Sequence, residues 1–190
     1  MDRAAYLTHM PSSILVLPPV NHTADVGASD AFLATITEPI AERGYYVFPI
    51  ALVDHFMKEN GLPTPGDMRQ EATPNKISEV FGADAVLYID ILSWETQYIV
   101  LDSSTRVRLS YRLVDAKSGL ELWKWEQLVV HSSSQGQSSL IGMVVSAAVH
   151  QATAGIQRER QLALLANHLA IEDEKTGLLL GLKQANPPPS

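Results

Sequence analysis

Short apolar runs alternate with stretches of helical periodicity along the first half of the chain. Residues 13–17 (SILVL) are rich in β-formers and end at Pro18-Pro19, which predicts a buried first strand over 14–17 opening into a polar loop. In that loop, residues 18–28, Asn21, Asp25 and Gly27 supply turn chemistry, and Ser29 is expected to cap a helix running toward Arg43. Ala28, Phe32, Ile36 and Ile40 would share one helical face. Pro39 should kink the helix or break it late, and Gly44 should end it. Residues 45–48 predict a second strand and residues 51–58 a short helix stopped by Asn60-Gly61. The proline- and glycine-bearing stretch 61–73 is expected to be a surface excursion or mobile lid. Thr73-Pro74 then starts a helix that Gly82 ends. Residues 85–92, apolar at almost every position, predict a central strand covered on both faces.

From Gln97 the pattern becomes strict alternation. Val107, Leu109, Tyr111 and Leu113 fall on one side of a strand and Arg106, Arg108, Ser110 and Arg112 on the other, so one face should be wet. Residues 115–119 (DAKSG) form a hairpin turn into a strand over 120–130, making the second half of the sheet antiparallel. A serine and glutamine linker, 132–139, precedes a long helix over about 138–168, with Ile141, Val145, Ala148, Ala152 and Ile156 as one stripe. Residues 1–12 are expected to be a flexible lead-in and 171–190 a tail. No internal repeat is present. The fold class is therefore α/β: a single domain over 13–170 with a mixed sheet, parallel first and antiparallel second, covered by helices, the last of them long.

At 190 residues and 46% hydrophobic content, one domain of this size buries roughly 70% of its unfolded surface without disulfide or metal. The 21 acidic against 14 basic residues give a net charge of -7, which argues against nucleic acid as a partner. Cysteine is absent, so disulfides, thiol catalysis and cysteine-ligated metal are excluded, with no bearing on compartment. The longest apolar stretch, 140–156, is interrupted by Ser146, His150, Gln151 and Thr153, so it reads as a helix of a folded domain. The first residues lack the pattern of an export signal.

No phosphate loop, dinucleotide fingerprint, HExxH or nucleophile elbow occurs. The six histidines, at 9, 22, 55, 131, 150 and 168, contain no i, i+4 pair, so no metal site and no cofactor is expected. Asp54-His55 are adjacent on a helix and diverge. Asn21, His22, Thr23 and Asp25 lie where open α/β sheets bind ligands, and could line a polar pocket or serve only as turn and cap. Trp94, Trp123 and Trp125 are either an interaction surface or core packing. Arg106, Arg108 and Arg112 form a one-sided basic stripe that suits an acidic partner or simply a solvated face. Small residues in the last helix permit either packing on the sheet or self-association.

Four blocks carry a resemblance: SILVLPPVN near the start, AERGYYVFPI over 41–50, FGADAVLYIDILSW over 81–94 and DAKSGLELW over 115–123. They resemble a family of bacterial lipoproteins of unknown function that includes a meningococcal surface lipoprotein. Its genes often neighbour those of curli-secretion-channel-like lipoproteins. The resemblance implies a periplasmic domain similar to the N-terminal domain of TolB, held at the inner leaflet of the outer membrane by an N-terminal lipid. It also implies a homodimer, envelope lipoprotein partners of the curli-secretion-channel-like kind, and no catalytic residues. The lipidated cysteine of that family is missing, and Met1 is read as an expression start placed just after it. The expected function is non-catalytic, a dimeric assembly module in an outer-membrane complex for secretion or transport. The alternative is a small-molecule-binding module using the loop 18–28 and the excursion 61–73.

Overall fold

The computed structural model describes residues 3–99, 102–132 and 155–181. β1 (Ser13–Val16) pairs in parallel with β3 (Tyr46–Val47) on one side and with β4 (Ala85–Ile99) on the other, and β2 (Val20–Asn21) adds to β4 in the same sense. β4 turns antiparallel into β5 (Asp102–Asp115), which pairs antiparallel with β6 (Glu121–Ser132), so the sheet order is β3-β1-β4-β5-β6. This is the mixed sheet that the change of hydrophobic period at Gln97 predicts. The parallel half arises because helices intervene between strands, and the antiparallel half because Asp115 Oδ1 accepts from Ser118 N and Oγ, tightening a turn that Gly119 completes at φ 72°.

Alternation along the strands builds two cores. Ile14 and Val16 of β1 and Ala85, Leu87, Ile89 and Ile91 of β4 face α2 (Ala28–Glu42) and α6 (Gly155–Glu172). On β5, Val107, Leu109, Tyr111 and Leu113 extend that core, as expected. Leu15, Leu17, Val86 and Tyr88 face the opposite way, under α3 (Ile50–Glu59), α4 (Pro65–Glu71) and α5 (Pro74–Phe81). The second helical layer reaches no further than Val114 and Ala116. Beyond it no described helix covers the face of β4, β5 and β6, where Arg106, Arg108, Arg112, Lys124 and Glu126 are all exposed.

Several local expectations change. The lead-in contains a helix, α1 (Arg3–Thr8), because Tyr6 is wholly buried and its hydroxyl lies 2.7 Å from that of Tyr45. Ser29 lies inside α2, whose N-cap is Gly27. The Asp25 carboxylate accepts from Gly27 N instead, at 2.9 Å. Pro39 sits inside α2, which continues to Glu42 before Gly44 leaves at φ 89°. The stretch 61–73 is not a lid: α4 forms there on a Thr64–Asp67 capping box and buries Met68 completely. The tail expected from residue 171 packs on the domain as far as Gly181, with Leu178 in the core, Trp123 Nε1 donating to Thr176 O at 2.6 Å and Gly181 N donating to Arg43 O at 2.7 Å. The linker 133–139 and the helical stripe at Ile141, Val145, Ala148 and Ala152 lie outside the described residues. α6 is described from Gly155.

Candidate functional site at the rim of the second helical layer

Along the second face of β4, apolar residues give way to charge one step after Tyr88, where Asp90 sits with its side chain 21% exposed. A carboxylate at such a rim keeps its charge only if donors replace the lost water. Arg69 of α4 supplies both terminal guanidinium nitrogens, one to each oxygen, with NH2 to Oδ2 at 2.8 Å. His22 adds Nε2 to Oδ1 at 3.0 Å. The guanidinium groups of Arg69 and Arg112 stand over the Tyr88 ring at 5.7 and 4.8 Å. Burial pushes the Asp90 carboxyl up, but hydrogen bonds from Arg69 and His22 outweigh it and hold the group below its usual value of 3.8.

A carboxyl lowered in the folded state contributes stability above its unfolded value, lost as pH falls through the folded one. Unfolding by urea should therefore become easier below about pH 4. Asp90→Asn should flatten that acid limb and, by leaving Arg69 without its carboxylate, cost about 1–3 kcal/mol at neutral pH. An unchanged acid limb would show that Asp90 does not carry it.

The other polar groups of the loop after β1 are consumed locally. Asn21 Oδ1 accepts from Thr23 N and Oγ1 at 2.9 and 2.8 Å, Asn21 Nδ2 donates to Asp25 O at 2.7 Å, and Asp25 caps Gly27. Turn chemistry thus claims Asn21, Thr23 and Asp25, and only His22 projects to the Asp90 cluster. Arg69 and Asp90 are not among the residues singled out from sequence. A lone acidic position in the otherwise apolar 85–92 run is the signal that could have flagged Asp90.

The remaining predicted residues separate. Trp94 and Trp123 are buried in the first core, and Trp125 packs half-buried against it, its Nε1 donating to Gln127 Oε1 at 3.1 Å. Trp94 and Trp123 thus pack in the core, while Trp125 is only partly covered. Arg106 and Arg108 do line one side of an open trough of about 560 Å³ with Ser93, Glu95, Glu126, Leu128 and Val130, where Arg108 is paired to Glu126. Arg112 lies apart, over Tyr88. Asp54 pairs with Lys58 at 2.6 Å and His55 with Glu59 at 3.2 Å, so the adjacent Asp54 and His55 form no dyad. Among the described residues, the one trio of side chains placed to share a metal ion is Glu42, His168 and Glu172, on the other side of the sheet.

On the outer surface of α3 and α5, next to the edge strand β3, apolar side chains are left open. Leu52 is 65% exposed, Val80 57%, Tyr46 49% and Phe56 39%. Phe81 joins them edge-on, its ring centroid 5.1 Å from Phe56 and 6.3 Å from Phe48. Two clefts of about 350 and 430 Å³ flank the Phe56–Phe81 pair. No sequence motif announces this surface.

Residues 1–183 match the family described as "Putative lipoprotein GNA1162-like". The chain belongs to that family. It is 41% identical over 150 residues to "Putative lipoprotein NMB1124/NMB1162" of Neisseria meningitidis serogroup B, covering 79% of this chain and 69% of that one. The crystal structure of lipoprotein GNA1162 from Neisseria meningitidis superposes with a TM-score of 0.62 at 42% identity, over 70% of this chain and 92% of that one. A PelC dodecamer structure from Paraburkholderia phytofirmans matches with a TM-score of 0.50 at 13% identity, over 83% and 84% of the two chains, a likeness of fold alone. Membership in the GNA1162-like family carries the lipoprotein assignment, and with it a membrane-anchored place in the cell envelope. Among the described residues no helix is long and apolar enough to cross a membrane.

Proposed function

We propose that the chain is a non-catalytic assembly module, held by a lipid on the periplasmic side of the outer membrane, that forms a homodimer and joins envelope lipoprotein partners in a secretion or transport complex. The observation that carries this reading is the open apolar surface of Tyr46, Leu52, Phe56, Val80 and Phe81 beside a two-residue edge strand. Aromatic side chains grouped around clefts are the usual anchors of protein interfaces, and leaving them in water has no benefit to a monomer. The loop chemistry supports it from the other side, since the groups best placed for catalysis are tied up in turns and in the Asp90 ion cluster.

Sedimentation of the purified chain should give the mass of a dimer, and Phe56→Glu should weaken self-association at least about tenfold while leaving the circular dichroism spectrum unchanged. A photo-crosslinking residue at position 52 should capture a second copy or an envelope lipoprotein in cells. A monomer at all concentrations, together with no crosslink from position 52, would falsify the reading. A mass of twelve copies would keep the assembly role and correct the stoichiometry.

One observation favours a second reading, a small-molecule-binding module. His22 of the loop 18–28 and Arg69 of the segment 61–73 meet on Asp90, so the two segments that such a module would use do converge. Thermal shift against nucleotide, sugar and peptidoglycan-fragment libraries tests it: a ligand whose stabilisation disappears in Asp90→Asn would make this the leading account.

A further inference from the structure

α2 and α6 pack side by side on the first face of the sheet and end at the same place, each on a glutamate. Glu42 is the last residue of α2 and Glu172 the last of α6, with His168 one turn earlier on the same face as Glu172. The ligand atoms of all three lie within 4.8 Å of one another, and His168 Nδ1 is 2.9 Å from Glu172 Oε1. Three features make this arrangement unfavourable without a cation. The C-terminal end of a helix already carries partial negative charge, so a carboxylate there is repelled, and neither helix has a basic residue in its last turn. The two carboxyl groups face each other within 4.8 Å, and Glu38, one turn back along α2, adds a further negative charge nearby. Asp173 and Glu174 continue the negative run, with Arg43 and Lys175 the two cations that border it in sequence, in a chain of net charge -7.

From this geometry we infer that Glu42, His168 and Glu172 form a surface site for a divalent transition-metal ion of the zinc class, clamping the ends of α2 and α6 together. An imidazole beside two carboxylates selects such an ion over magnesium or calcium, which take oxygen donors alone. Ligand atoms around a tetrahedral zinc stand about 3.3 Å apart. The His168–Glu172 separation is already close to that, and the exposed Glu42 side chain reaches it by a change of rotamer. Three protein donors leave the fourth position to water. The i, i+4 spacing of His168 and Glu172 was legible in the sequence, whereas the arrival of Glu42 from the first half of the chain was not.

Titration of the full chain with zinc chloride, followed by calorimetry and by the visible spectrum of the cobalt(II) form, tests the site. One equivalent should bind, with cobalt bands of a low-coordinate site containing nitrogen, and excess magnesium should not displace it. At a hundredfold excess over Kd the melting temperature should rise by roughly 5–10 °C. His168→Ala, Glu172→Gln and Glu42→Gln should each weaken binding at least tenfold. Glu42→Gln should at the same time raise the melting temperature of the metal-free protein by relieving the contact between carboxylates, a sign opposite to that of a residue with a merely structural role. Failure to bind one equivalent, displacement by magnesium, or equal binding in the wild type and His168→Ala would overturn the inference.

Discussion

Trp123→Ala should cost the fold about 3–5 kcal/mol and free the C-terminal segment from the sheet. Trp123 is 1% exposed, lies 5.8 Å centroid to centroid from Tyr111, and donates its indole N–H to Thr176 O at 2.6 Å. Truncation to alanine therefore opens a cavity in the first core and removes the tether that turns the chain after α6. Gly177 leaves no slack to absorb the change: a Cβ there would stand 2.4 Å from Ile171 O and 2.6 Å from Asp173 O, so the turn has one backbone path. Trp123→Phe should retain most of the packing but not the tether. Denaturant midpoints should therefore order wild type, Phe and Ala, while limited proteolysis should cut residues 173–181 readily in both variants. Equal resistance of that segment in Trp123→Phe and wild type would assign the docking to Leu178 and to the backbone bonds at Leu179 and Gly181.

The second large effect is expected at Asn167, a wholly buried amide that joins the three elements of the first core. Its Oδ1 accepts from Tyr111 Oη at 2.8 Å on the sheet, and its Nδ2 donates to Thr35 Oγ1 at 3.0 Å on α2. Thr35 in turn donates within its own helix to Ala31 O or Phe32 O. Asn167→Ala strands a buried phenol and adds a cavity, for about 2–5 kcal/mol. The control is a cycle with Tyr111→Phe. If the loss stems from the orphaned hydroxyl, adding Tyr111→Phe to Asn167→Leu should recover a good part of it, because removing both partners of a buried hydrogen bond is far less costly than removing one. Additive losses would place the cost in packing instead. Burial also drives the Tyr111 hydroxyl well above its ordinary value, so it stays protonated and able to donate throughout the neutral range.

How far the fold could be read from the residues depended on the range of the interaction concerned. β1, β4 and β5 follow from apolar runs or strict alternation, which burial dictates residue by residue, and Gly44, Gly61 and Gly82 end their helices at positive φ as a glycine at such a place predicts. The misreadings fall where a distant partner decided. α1 depends on Tyr6 finding Tyr45, α4 on Met68 finding the second core, and the docked tail on Thr176 finding Trp123. Around α4 and over 173–177 the local composition, polar or rich in proline and glycine, matches a loop equally well. The same holds for the site. Asn21, Thr23 and Asp25 behave as the loop sequence suggests, but the partner of His22 is Asp90, and the residue that closes the cluster, Arg69, belongs to a segment without a hydrophobic pattern of its own. The tryptophans were ambiguous for a different reason: residue type cannot distinguish a core face from an interface, and here α6 and the segment after it cover the face of β6 that holds Trp123.

Tyr45 stands between the two ends of the described chain. Its hydroxyl meets Tyr6 at 2.7 Å and donates to Leu179 O at 2.6 Å, a bond that spans 134 residues of sequence, and burial pushes its own ionisation up to about 12. An element held in this way cannot be finished early. Without residues 173–181 the N-terminal helix has only half of its clasp and Trp123 loses its partner at Thr176. Residues 173–181 thus close a structure whose other parts precede them in the chain, so its completion waits on a segment far from the N-terminal helix that it secures.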